Sequence, residues 1–135
     1  MPLDEYTISL VKGKNLGIVV TLMPDGQPQA LPTWIDTDGE YLLVNTERER
    51  QRSRNIARDP RVTVLVMSSE SPWDWSELRG RVVGMTGGDE ALRHIHELSN
   101  KYVGRDYIRE IGPTGRIIFK IAAGKILTPA MLGYT

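Results

Sequence analysis

Apolar residues along the chain follow two different spacings. Alternating or β-branched runs at residues 17–23, 27–35, 40–46, 61–68, 75–85 and 116–121 predict strands, most of them bounded by turn-forming residues. The first run leads into Pro24-Asp25-Gly26, where proline presets φ and glycine accepts a positive φ, so a tight reversal is expected. The second closes on Asp36-Thr37-Asp38-Gly39, and the third begins at once. Three strands on such short connections predict an antiparallel meander. The run over residues 61–68 is apolar almost without a break, which predicts burial on both faces. In the next run Gly80 and Gly84 predict bulges or bends. Residues 125–127 either carry the last strand past Gly124 or form a further one.

Helical stretches interrupt the strands. Residues 6–14 predict a short helix with Leu10 and Val11 on its apolar face. Residues 47–58 are strongly charged and predict a second, stopped by Asp59-Pro60. The longest covers residues 90–103, with Asp89 as N-cap and Ala91, Leu92, Ile95, Leu98, Ser99 and Tyr102 on one face; Gly104 ends it. Residues 69–74 predict a loop, and Gly112-Pro113-Thr114-Gly115 a turn. Many short strands with a few helices predict a mainly β fold, a closed or half-closed antiparallel barrel with helices packed outside. The first three strands leave no room for crossover helices between them, which argues against a parallel α/β sheet.

Composition narrows the function classes. A chain of 135 residues is expected to form one domain over residues 1–135. Seventeen basic and 17 acidic residues give a net charge of 0, which argues against wrapping nucleic acid by bulk charge. There is no cysteine, so disulfides, thiolate metal sites and a cysteine nucleophile are excluded. The longest nearly apolar run, residues 16–23, is too short to span a bilayer. The opening Met1-Pro2-Leu3-Asp4-Glu5 has no basic region followed by an apolar stretch. The expected location is cytoplasmic, with no membrane partner.

The least ordinary stretch runs from Thr46 to Arg61. It carries Arg48, Arg50, Arg52, Arg54, Arg58 and Arg61 and no lysine, against Glu47, Glu49 and Asp59. A strand ends there, an Arg50-x-Arg52 pair follows and a helix begins. Free N–H groups and the positive dipole end of a helix N-terminus suit a phosphate, and arginine adds a planar fork of donors. The same run also fits a solvated helix face with local glutamate–arginine pairs. The use of arginine throughout favours anion recognition. Trp34 is expected to pack, whereas Trp73 and Trp75 fit either a ring offered to a flat ligand or partner subunit, or core packing with one ring exposed. His94 and His96 are two apart on a helix, the wrong spacing for a shared metal, and are expected on its surface. No nucleophile elbow, Walker loop or Gly-x-Gly-x-x-Gly loop occurs, so chemistry is expected from a bound cofactor, with no catalytic acid assigned.

The segments Gly17-Ile18-Val19-Val20-Thr21-Leu22, Asp25-Gly26-Gln27-Pro28-Gln29, Pro32-Thr33-Trp34 and Leu43-Val44-Asn45-Thr46 occur in that order. Arg50-x-Arg52-x-x-Asn55-Ile56-x-x-Asp59-Pro60-Arg61-Val62 follows. Together they resemble the pyridoxamine 5′-phosphate oxidase-like split-barrel superfamily, most closely its branch that uses the deazaflavin coenzyme F420. Lys101-Tyr102-x-Gly104 also fits that branch. The resemblance implies an antiparallel split β-barrel of the FMN-binding kind, a homodimer with two cofactor sites at the interface. It implies that Arg50, Gln51 and Arg52, with the start of the following helix, hold the cofactor phosphate, and that Asn55 is a polar neighbour. Leu31, Pro32, Thr33, Trp34, Asn45 and Thr46 match strands that lie along the tricyclic ring. Trp73 and Trp75 match a loop that in relatives crosses toward the partner's site.

Vitamin B6 oxidases of this superfamily are longer and end in an arginine-containing substrate motif, whereas this sequence ends Leu132-Gly133-Tyr134-Thr135. The resemblance therefore implies another activity, an F420-dependent oxidoreductase. Hydride would pass from the reduced deazaflavin to an electron-poor small molecule such as a conjugated carbonyl, quinone or tetrapyrrole. The alternatives are an FMN-dependent oxidoreductase using the same pocket and a non-enzymatic carrier of F420, flavin or haem. Arg48 and Arg54 are expected to meet the polyglutamate tail that F420 carries beyond its phosphate. Nucleic acid is not an expected partner, since no aromatic residues interleave with the arginines.

Overall fold

The computed structural model describes residues 1–133; Tyr134 and Thr135, part of the chain ending considered above, lie outside the described residues. The strands form close to where the apolar runs predict them. β1 (Gly17–Leu22) and β2 (Pro28–Thr33) make a hairpin, turned where Gly26 takes φ +88° and the Met23 N–H donates to the Gln27 carbonyl at 2.9 Å. β3 (Asp36–Thr37) and β4 (Leu42–Glu47) make a second. β5 (Arg61–Met67), β6 (Trp75–Thr86) and β7 (Arg116–Leu127) complete one antiparallel sheet in the order β2-β1-β5-β6-β7-β4-β3.

This order corrects the expected meander. β2 and β3 follow one another in sequence yet lie at opposite edges of the sheet, joined by Trp34 and Ile35 alone. Three Cα steps reach about 11 Å at most, whereas six strand spacings across a flat sheet span about 29 Å. The link therefore demands that the sheet curl until its edges nearly meet, which is the architecture of a split barrel. The predicted strand over residues 27–35 is cut short for the same reason: at Thr33 the chain leaves one edge to reach the other, burying Ile35 completely.

The core fills the concave side. Val19, Val62, Val64, Val66, Leu78, Ile117 and Ile121 all point there. β5 is not buried on both faces as its composition suggests. Val62, Val64 and Val66 face inward, but Thr63 and Leu65 are half-buried and Arg61 and Met67 exposed. Both predicted irregularities of β6 occur as register shifts against β7, at Arg79/Gly80 and Val82/Gly84. At the first, a Cβ on Gly80 would lie 2.0 Å from the Ala122 carbonyl oxygen, so no side chain fits there. β7 continues through Gly124 as one strand.

α1 (Glu5–Lys12) starts at Asp4, whose carboxylate accepts from the Thr7 N–H at 3.0 Å. α2 (Gln51–Arg58) begins later than residue 47, because Glu47 stays in the β4 ladder opposite Arg116. α3 (Gly88–Val103) is capped by Gly87 rather than Asp89, which sits in the first turn where its charge suits the helix dipole. Its inward face holds Ala91, His94, Ile95, Leu98 and Ser99; Leu92 points away and is exposed. A 3-10 turn, Pro129–Leu132, follows β7. Among the described residues no helix is long and apolar enough to cross a membrane.

The end of α3 fastens the seam between the sheet edges. The Tyr102 hydroxyl accepts from the Ile35 N–H at 3.1 Å and donates to the Asn15 carbonyl at 2.6 Å. Lys101 Nζ donates to the carbonyls of Val11 at 2.5 Å and Ile35 at 2.9 Å. Burial, with Lys12 nearby and Asp36 opposing, brings the Lys101 ammonium down to about 8.

Candidate functional site

A cleft of about 630 Å³ opens beside the seam. Leu31, Pro32, Thr33 and Trp34, at the end of β2 and in the link, form one wall. Asn45 and Thr46 of β4 form the floor, and Arg50, Gln51 and Arg52 stand at the start of α2. The fold thus brings nine of the sequence-selected residues together around one opening, within the size range of small-molecule sites.

The arginine end is electrostatically unusual. Arg52 is 9% exposed, and burial together with the neighbouring Arg50 pulls its guanidinium below its ordinary value; no carboxylate offsets them. Among the described residues Arg52 has no ion pair. Arg50 is the N-cap of α2 and makes no side-chain capping bond, so it takes up none of the first-turn N–H groups. Among the described residues no Asp or Glu lines the opening. A largely buried cation beside a second one, at a helix N-terminus, is an arrangement suited to an anion.

The other wall is aromatic and apolar. Trp34 stacks on Tyr102 at 5.4 Å, nearly parallel at 7°, and meets Tyr107 edge-on at 6.3 Å. Ile95 and Leu16 join Leu31 and Trp34, giving a surface for a flat ring. Two further arginines reach the cleft that the sequence reading does not select. Arg109 is exposed at its edge. Arg116, with a side chain 8% exposed, is clamped: its Nε donates to Asn45 Oδ1 at 2.8 Å, its Nη1 to Glu47 Oε1 at 3.4 Å, and the Tyr107 ring lies 5.4 Å beneath it. Arg116 follows a plain turn signal. Only its pairing opposite Glu47, on a strand far away in sequence, brings it here.

Other residues lie elsewhere. Asn55 is fully buried behind α2, where its Nδ2 donates to Thr21 Oγ1 at 3.0 Å and its Oδ1 accepts from Gln51 at 2.8 Å and Arg58 at 3.2 Å. Trp73 is 78% exposed and Trp75 begins β6; neither lines the cleft. Arg48 and Arg54, expected to face a ligand tail, turn to the Met85 sulfur and to the Glu49 carbonyl and Gln51 side chain. The helix-surface expectation fails for His94, which is buried because it shares the inward face of α3 with Ala91 and Ile95. His96 Nδ1 accepts the Tyr107 N–H at 3.1 Å and so ties the segment carrying Tyr107 and Arg109 to α3.

A curled antiparallel sheet with an arginine-lined cleft at its seam defines a split-barrel protein. The model of the pyridoxamine 5′-phosphate oxidase family matches residues 3–128, and the chain belongs to that family. A solved structure named F420 Reductase is 28% identical, covers 93% of this chain and 98% of its own, and superposes with a TM-score of 0.80. A conserved hypothetical protein from Mycobacterium tuberculosis is 25% identical over 97% of this chain and 88% of its own, with a TM-score of 0.72. General Stress Protein 26 from Bacillus anthracis is similar in fold, at 20% identity over 92% of this chain and 91% of its own, with a TM-score of 0.71.

Proposed function

We propose that the cleft binds coenzyme F420 and that the protein is an F420-dependent reductase of electron-poor organic small molecules. The observation that carries this reading is the buried Arg52, without an ion pair among the described residues, beside Arg50 at the start of α2, in an opening that no carboxylate of the described residues lines. These groups would take the cofactor's phosphate. Trp34, Leu31 and Ile95 would lie against the tricyclic ring, with Thr33 and Thr46 offering hydrogen bonds to its polar edge. When bound, reduced deazaflavin supplies a hydride. The protein's part is to orient the ring and keep water from it. Beyond its phosphate F420 continues through lactate into a glutamate tail, which Arg109 at the cleft's edge would receive. The similarity to a protein named F420 Reductase supports the choice.

FMN presents a phosphate and a tricyclic ring of the same kind, so it is the competitor to test. We further propose a homodimer formed through the convex face of β1, β5 and β6, closing the site. A groove there is lined by Val20, Leu22 and Val83 together with Arg61, Arg79, Arg81 and Lys125. Titrating the protein with F420 and FMN side by side tests the reading. F420 is expected to bind more tightly, and its affinity to fall more steeply with added salt because its tail pairs at an exposed arginine. Arg50→Ala and Arg52→Ala should each weaken binding by about ten- to a hundredfold, the worth of a charge-assisted bond to phosphate. Arg58→Ala, whose side chain turns to the Leu22 carbonyl and Asn55, should change it little. FMN binding about tenfold tighter than F420 overturns the F420 assignment.

A further inference from the structure

A chain of side-chain hydrogen bonds runs from the surface to the cleft through five elements. Lys12 of α1 pairs with Asp36 of β3 at 3.1 Å. Asp36 Oδ2 lies 3.0 Å from His94 Nε2 of α3, and His94 Nδ1 lies 3.1 Å from Asn45 Nδ2 of β4. Asn45 Oδ1 then accepts from Arg116 Nε of β7 at 2.8 Å. His94 does not itself reach the cleft; Asn45 and Arg116 do.

The bonding determines where the proton on His94 sits. Asn45 Nδ2 carries only donors, and it also donates to the Ala91 carbonyl at 2.9 Å. Turning the amide over would set its oxygen against that carbonyl and its N–H groups against the Arg116 Nε–H. The amide orientation is therefore locked from two sides. His94 Nδ1 must accept, so the ring proton is on Nε2 and is donated to Asp36.

We infer that His94 is a positioning residue: as the neutral Nε2–H tautomer it holds the Asn45 amide, which aims the Arg116 guanidinium into the cleft, and protonating it loosens the site's grip on an anionic ligand. This rests on the reading of the cleft as an anionic cofactor site. A second proton, on Nδ1, would face the Asn45 N–H donor to donor. The amide must then swing away, and Arg116 loses the acceptor at its Nε, keeping only the Glu47 carboxylate at Nη1 and the Asn45 carbonyl at Nη2. Several charged or titratable groups surround the ring. On one side stands Asp36, with Lys12, Lys101 and Tyr102 behind it; on the other, beyond Asn45, stands Arg116 with Glu47 and Tyr107.

Two measurements test the inference. Two-bond nitrogen–proton NMR of the ligand-free protein, titrated across about pH 5–8, is expected to find His94 as the Nε2–H tautomer at the upper end. The Arg116 Nε–H resonance should move with the His94 titration. An Nδ1–H tautomer, or an Arg116 signal indifferent to His94, overturns it. In the second, F420 and FMN affinities are measured over the same range in the wild type and in His94→Gln, which can accept and donate but does not titrate. Wild-type affinity should fall about tenfold on acidification beyond any fall in His94→Gln, a difference that cancels the ligand's own titration. His94→Leu, checked for folding by circular dichroism, should bind weakly at every pH. Parallel pH profiles in wild type and His94→Gln overturn the inference. If neither cofactor binds at any pH, the cofactor reading falls, and the NMR titration still decides the link from His94 to Arg116.

Discussion

Asn55 illustrates how a residue inside the most distinctive motif can serve the fold rather than the ligand. Its amide is fully buried and engaged by Thr21, Gln51 and Arg58. Asn55→Ala is expected to cost about 1–3 kcal/mol of stability by leaving those partners unsatisfied, while cofactor affinity per folded molecule stays nearly constant; urea unfolding and a binding titration separate the two. Asp36 gives a prediction with a sign. Burial alone would raise its carboxyl, but the hydrogen bonds from His94, the Thr37 N–H and Lys12 hold it at about 2, against an ordinary 3.8. Its stabilisation is full above the ordinary value and is lost as pH falls from there toward the folded one. Asp36→Asn should therefore flatten the acid side of the stability profile, measured as unfolding free energy across that interval.

At the scale of elements, what was legible in the sequence is what is local. The β1–β2 turn, the bulge at Gly80 and the end of α3 at Gly104 each follow from a few neighbouring residues. Strand pairing does not. β2 and β4 look like neighbours because short turns separate them, and only the pairing of β4 with β7 shows that they are not. The same limit hides Arg116, while nine cleft residues were selected because β2, β4 and α2 are contiguous with the matched motif. His94 was hidden differently: its phase on α3 is that of the apolar face, but its side chain reads as polar surface. The α3 terminus carries a testable consequence. Lys101 has a folded value of about 8 against an ordinary 10.5, so between these the unfolded chain binds more protons and its contribution to stability rises with pH. Thermal melts across this interval should show that rise in the wild type and lose it in Lys101→Met.

For the whole molecule, the concave side of the sheet is filled, while α3 covers the convex side only over β7 and β4. Val83 of β6 is 57% exposed, in a groove with half-buried Val20 and Leu22 that Arg61, Arg79, Arg81 and Lys125 also line. The proposed dimer covers this face. Sedimentation at micromolar concentration is expected to give a dimer, and Val83→Glu, at a position open enough to tolerate the change, a folded monomer with weakened cofactor binding. A wild-type monomer with full affinity overturns the assembly proposal without touching the cleft.

The Trp34–Ile35 crossing also orders the folding reaction. The two hairpins on either side of it form from residues close in sequence, and each is free to form early. They cannot be set at their final positions until β7 inserts between β6 and β4, whose paired residues include Ile118 opposite both Thr86 and Asn45. The long chain between β4 and β7 must be closed first, an entropic cost met before its contacts reward it. Folding should therefore be slow for a chain of this length, and the seam should be among the last contacts made. Stabilising its carbonyl contacts to Lys101 and Tyr102 would then slow unfolding while leaving the folding rate nearly unchanged.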